Sequence, residues 1–187
     1  GKKRVDVVKK AKHADKYLFT EQTYHQFPDY YQSDFSFTAP KKVTNLNPQM
    51  ADFAWGEKPE LISYKGFDGE DLQGVLIKPA GYKKGDKVPV VVYFYRYMSQ
   101  RMYDFPKMEL NHRPNFPMFT SNGYAIFLPD IRFEIGHPGK SSTQTMINAT
   151  QKLIDLGIAD PDKIGLQGHS WAGYQSAFMI TQTDMFK

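Results

Sequence analysis

Two uninterrupted apolar runs constrain this chain more than anything else in it, "VPVVVYFY" (Val88–Tyr95) and "YAIFLPD" (Tyr124–Asp130). A third strand is expected where "DPDKIGLQGH" turns back into the sheet and ends near Gly168. The two runs are short, rich in β-branched and aromatic residues, and bounded by turn-forming residues. That composition predicts strands buried on both faces, as parallel sheets require. The segments between the runs have a different period. In "SSTQTMINATQKLIDLG", Met146, Ala149, Leu153 and Leu156 recur at helical spacing, and Ile147 and Ile154 widen the stripe. Ser141 or Ser142 is expected to cap this helix and Gly157 to end it. A shorter helix is expected before Gly123 and another in "AGYQSAFMITQ". Strands alternating with helices predict an α/β fold, a mostly parallel sheet with helices on both faces.

Upstream, "ELISYKGFDGEDLQGVLIKP" has two apolar strands about Asp68-Gly69, a strong hairpin signal. The first fifty-odd residues have another character. Between Tyr17 and Phe37 the chain is dense in aromatics, and "YLFTEQ" and "DFSFTA" read as strands of about five residues. "TAPKKVTNLNPQ" is a turn-rich connector. Two or three strands do not close a core alone, so this segment reads as the end of an all-β unit. The expected division is residues 1–55 and residues 56–187.

Composition enters mainly by exclusion. The chain of 187 residues holds no cysteine, which removes disulfides, zinc-thiolate sites and a cysteine nucleophile. Its net charge is +4, but "GKKRVDVVKKAKHADK" alone holds seven Lys/Arg against two Asp. The basicity is thus local, and reads as a short solvated segment rather than a nucleic-acid surface. No apolar run is long enough to span a membrane. No pair among the five histidines has metal-ligand spacing, and neither metal nor cofactor is expected. Compartment is left open, with a periplasmic or secreted parent protein admitted.

The chemistry concentrates in "KIGLQGHSWAGYQSAFMI". A serine hydroxyl becomes a nucleophile only when held out of the scaffold beside a base and oxyanion donors. A sharp strand-to-helix turn holds it out, and needs small residues around the serine. Gly168 stands two before Ser170, Ala172 two after and Gly173 three after, one methyl away from G-x-S-x-G. A helix N-cap would also favour serine here, but would not require small residues on both sides. His169 adjoins Ser170 and so points elsewhere across the turn; a packing or loop-contact role is expected for it. His137 lies in a loop after a strand, His112 reads as exposed, and His13 and His25 precede the α/β part. None is a convincing base. In α/β-hydrolases the acid and then the histidine follow the serine. Trp171 to Lys187 is too short to supply them, so the chain is expected to be a fragment, inactive alone.

These residues resemble the prolyl oligopeptidase family of serine peptidases, on its dipeptidyl peptidase IV-like side. The resemblance is carried by "ELISYKGFDGEDLQGVLIKPAGYKKGDKVPVVVYFY", "YAIFLPDIRFEIGHPGK" and "LGIADPDKIGLQGHSWAGYQSAFMITQTDMFK". More weakly, Lys16 to Asn47 resembles the last blade of the family's β-propeller. The resemblance implies an α/β-hydrolase fold preceded by the end of a propeller, and a peptide substrate cleaved through an acyl-enzyme, with a preference after proline. It implies Ser170 as nucleophile, with the Trp171 backbone N–H and the Tyr95 hydroxyl as oxyanion donors. Tyr93 and Tyr97 compete with Tyr95 for that role. Arg96 and Arg101 could meet a peptide carboxylate or could be surface residues. An esterase of the same fold and a non-catalytic binding module are the alternatives, and homo-oligomerisation of the parent is left open.

Overall fold

In the computed structural model, residues 2–109 and 111–187 are described. They divide into two compact units, one of residues up to Phe53 with Tyr103–Pro106, the other of Ala54–Met102 and Lys107–Lys187.

The first unit is a four-stranded antiparallel sheet in sequential order: β1 (Arg4–Lys10), β2 (Tyr17–Thr23), β3 (Gln26–Ser33) and the two-residue β4 (Lys41–Lys42). Two expectations fail here. The basic N-terminal stretch is not a free solvated segment; Arg4–Lys10 pairs with β2. "DFSFTA" is not a strand. Asp34 accepts hydrogen bonds from the Ser36 N–H and hydroxyl, which folds the chain into a turn. Phe37 takes a left-handed backbone (φ 51°) and lays its ring on Tyr17 and Phe19. The strand runs instead through Pro28 and Asp29. The Asp29 carboxylate is buried, which works to raise its pKa. The Lys42 ammonium at 2.6 Å and bonds from Leu46 N–H and Thr44 hydroxyl outweigh burial and hold it low.

The second unit carries a five-stranded sheet: β5 (Glu60–Lys65), β6 (Asp71–Ile77), β7 (Val88–Phe94), β8 (Ala125–Pro129) and β9 (Ala159–Gly168), in spatial order β5-β6-β8-β7-β9. The hairpin between β5 and β6 turns at Gly69, whose φ of 84° suits glycine. The β5–β6 and β6–β8 pairings are antiparallel, and β8–β7 and β7–β9 parallel. The sheet is thus evenly mixed; the expected parallel character belongs to its last three strands.

Every residue of β8 is buried, as its unbroken apolar run requires. Along β7, Val90, Val92 and Phe94 join the core with Met146, Ala149 and Leu153 of helix α2 (Pro138–Asp155) and with Ala172 and Met179 of α3 (Trp171–Met179). The alternate residue Tyr93 meets Phe116 of α1 (Phe116–Ser121). Successive strand side chains point to opposite faces, so α1 covers one face and α2 with α3 the other. Burying each of the Val, Phe, Leu and Met side chains in this set stabilises the fold by about 1.5–3 kcal/mol.

Helix α2 starts earlier than its serines suggested. Pro138 stands in its first turn, where a missing N–H costs nothing. Ser141 and Ser142 lie inside and bond back to the His137 and Pro138 carbonyls rather than capping. Leu156, the last member of the expected stripe, is the half-exposed C-cap residue. Gly157 (φ 71°) ends the helix as expected.

Tyr64 ties β5 to β6 and to the end of β8. Its buried phenol donates to the Asp130 carbonyl at 2.7 Å, and burial pushes its pKa far up, so it stays a donor. Tyr64→Phe should lower unfolding stability by about 1–3 kcal/mol, measured by urea denaturation. An unchanged midpoint would contradict this role.

Candidate active site

Strand β9 ends at Gly168, and α3 begins three residues later. That spacing forces the chain to reverse within Gly168-His169-Ser170. A Cβ at position 168 would sit 2.3 Å from the Ala172 carbonyl oxygen and 2.6 Å from Ser176 Oγ, so only glycine fits. At Gly173 an added Cβ would meet nothing closer than 3.5 Å, while the Ala172 methyl is fully buried in the core. The methyl that departs from the usual pattern is therefore absorbed by packing.

Ser170 pays for this turn in backbone strain. Its φ of 56° and ψ of −120° lie where non-glycine residues cost about 1–3 kcal/mol. It heads α3, yet its side chain makes no capping hydrogen bond. Its backbone carbonyl accepts from Tyr174 N–H at 3.1 Å, leaving the exposed hydroxyl facing outward. The N-cap alternative does not describe this serine.

A cavity of about 460 Å³ lies at the carboxyl ends of the parallel strands, lined by Ser170, His169, Tyr95 and Arg101 among others. Open α/β sheets bind ligands at such a point, where strand order reverses; here β7 has β8 on one side and β9 on the other. The β7–β9 register sets Phe94 opposite Gly168, so Tyr95 and Ser170 leave neighbouring strand ends. Tyr95 is 45% exposed, whereas Tyr93 is buried against Phe116, and Tyr97 lies under the Arg96 guanidinium. All three tyrosines reach the cavity wall, and Tyr95 has the freest hydroxyl-bearing ring of the three. Trp171 opens α3, so its N–H has no carbonyl within the helix to bond. Its indole stacks on Tyr174 and meets Phe133 edge-on.

The histidines sort differently from one another. His137 is the residue before α2 and does not line the cavity. His112 and His169 both do, and their rings stack with centroids 3.9 Å apart. His112 is exposed as expected, but the stack and its place in the cavity wall were not foreseeable from isolated sequence positions. Partial desolvation, then the nearby His169 and Arg113, hold the His112 pKa below the ordinary imidazole value.

Two further residues shape the site. The Asp130 carboxylate, buried just past β8, accepts from Met98 N–H at 2.6 Å, Ser99 N–H at 2.8 Å and Ser99 hydroxyl at 2.6 Å. These bonds, with Ile131 N–H on the Arg96 carbonyl, clamp the loop that carries Tyr95 through Arg101. The strand-terminal "PD" was the available signal for such an anchor. Arg113 joins Arg96 and Arg101 on the cavity wall.

No family model matches the chain. Human dipeptidyl peptidase 8 is 25% identical over 147 residues, which is 69% of this chain and 16% of that protein. The uncharacterized peptidase YuxL of Bacillus subtilis is 23% identical over 163 residues, 79% of this chain and 23% of that protein. Among solved structures, Pyrococcus horikoshii acylaminoacyl peptidase superposes with a TM-score of 0.72 at 24% identity, covering 93% of this chain and 29% of the other. Porphyromonas gingivalis dipeptidyl peptidase 4 gives a TM-score of 0.72 at 17% identity, over 98% and 28%. The chain thus spans less than a third of the length of these proteins. The fold is of the α/β-hydrolase type. By sequence and by fold the chain is similar to peptidases of the prolyl oligopeptidase family. Among the described residues, no helix is long and apolar enough to cross a membrane.

Two measurements check the geometry. The His112 ring should titrate below 6.5 in an NMR pH series, and His169→Ala should move its midpoint upward. Because folding favours the neutral ring, protonating it should cost stability as pH falls through and below 6.5; a midpoint above 6.5 would contradict the stacked arrangement. Asp130→Ala should free the loop and speed tryptic cleavage at Arg96 and Arg101, read by peptide mapping. Unchanged cleavage would mean that the carboxylate does not hold it.

Proposed function

We propose that this chain carries the nucleophile of a serine peptidase. Ser170 Oγ attacks the scissile carbonyl carbon and forms an acyl-enzyme, while the amine leaves with a proton. The Trp171 N–H and the Tyr95 hydroxyl donate to the oxyanion that develops. The proposed relay takes its acid and then its histidine base from positions after the serine, the order that α/β-hydrolases use. The single observation that carries this reading is the strained, exposed, uncapped Ser170, set in the same cavity wall as Tyr95. The peptidase relatives support the reaction class.

The sequential four-stranded sheet of the first unit supports its reading as the end of a β-propeller, with residues 1–55 and 56–187 as the two parts. That propeller-like segment favours peptides over simple esters. A preference for proline before the cleaved bond is the specificity that the family resemblance offers.

The test is peptide hydrolysis by the intact protein that carries this chain. Ser170→Ala should abolish it, and Tyr95→Phe should lower kcat by about 10²–10³-fold, as removal of one oxyanion donor does. Proline and alanine versions of one substrate give the preference. Hydrolysis of short acyl esters without hydrolysis of any peptide, or full activity in Ser170→Ala, would contradict the proposal.

A further inference from the structure

The wall around Ser170 carries charge of one sign. Arg96, Arg101 and Arg113 all line the cavity, together with the His112–His169 stack. Among the described residues, no aspartate or glutamate lines it. Among the described residues, none of the three guanidiniums forms an ion pair, although six lysines, Arg4 and Arg132 do. The carboxylates close by in sequence do not answer them. Asp130 is buried and occupied by the Met98 and Ser99 donors, and Glu134 makes no ion pair with them among the described residues.

Such a cluster is unfavourable when left alone. Each guanidinium repels its neighbours, and Arg113 raises the cost of protonating His112 beside it. The lowered proton affinity of His112, to which Arg113 contributes after desolvation and His169, is one sign of that repulsion. The arginines also differ in freedom. Arg96 is held by its own environment, its guanidinium 5.3 Å from the centre of the Tyr97 ring and 5.7 Å from that of Phe133. Arg101 sits in the loop that Asp130 clamps, and Arg113 follows His112 in an Asx turn closed by Asn111. Arg101 and Arg113 therefore have anchored backbones and unpaired heads. A planar guanidinium fork matches a carboxylate through two parallel N–H···O bonds.

We infer that the cavity beside Ser170 selects peptides bearing a carboxylate, held by Arg101 and Arg113 with Arg96 contributing field. This deepens the peptidase reading by naming a substrate class, and its binding arm does not depend on turnover. The carboxylate is either an acidic side chain or a free peptide C-terminus; both present the same group to the same donors.

The test uses the intact protein and one peptide in four forms, with glutamate or glutamine at a single position and a free acid or carboxamide at the C-terminus. Binding is measured by calorimetry on the Ser170→Ala protein, and hydrolysis on the wild type. At least one carboxylate form should bind about 10-fold or more tightly than its neutral counterpart, and the form that does so identifies the source. The advantage should shrink between about 0.05 and 0.5 M salt, because a partly exposed pair is screened. In R101Q/R113Q, or in R113Q alone should the double variant misfold, the acidic-to-neutral ratio should fall toward one. Equal binding of all four forms, or a preference that survives both salt and the arginine variants, overturns the inference. Preferential binding without hydrolysis would instead sink the peptidase reading and leave this one standing; hydrolysis without preference does the reverse.

Discussion

The close approach of Gly168 to Ala172 is the contact on which the site depends. With no side chain at Gly168, the first turn of α3 can fold back to within contact of the strand that precedes it. Everything reactive follows from that closeness. The reversal forces Ser170 into its unfavourable backbone conformation and turns its hydroxyl outward. It also aims the amino end of α3, with the Trp171 N–H and the positive dipole end, at the cavity. A substituent at position 168 would have to displace backbone, not a flexible side chain.

A strained turn persists only where its surroundings over-determine it. Here the surroundings are two packed faces of a sheet. β9 is hydrogen-bonded to β7 along most of its length, and α3 buries Ala172, Gln175 and Met179 beneath it. The facing side of the cavity is held by an added means. The loop after β7 buries Met98, and the buried Asp130 carboxylate adds three hydrogen bonds to it. That wall therefore has charge-assisted bonds as well as van der Waals contact. Both walls originate at strand ends, so the sheet sets the distance between them.

Much of this was legible in the chain. Continuous apolar runs marked β7 and β8, because strands covered on both faces have no polar alternation, and β9 was marked by its place between a helix and the serine turn. Asp68-Gly69 marked the hairpin, and small residues around Ser170 marked the turn. What escaped notice was decided by contacts remote in sequence or by polar residues acting locally. Asp34 and Ser36 convert an alternating aromatic stretch into a turn whose phenylalanine packs sideways. The basic N-terminus pairs along the edge of β2, and its Val5, Val7 and Val8 suit a strand. Pro138 starts α2 ahead of its serines. The His112–His169 stack joins residues separated by two helices and two strands, and the Asp130 clamp joins two loops. Neither has a local signature.

The most direct measurement is a crystal structure of the intact protein after reaction with a fluorophosphonate. Covalent density is predicted on Ser170 Oγ, with the phosphonyl oxygen within about 2.7–3.1 Å of both the Trp171 nitrogen and the Tyr95 hydroxyl. An adduct on another residue, or a phosphonyl oxygen bonded to neither donor, would contradict the account.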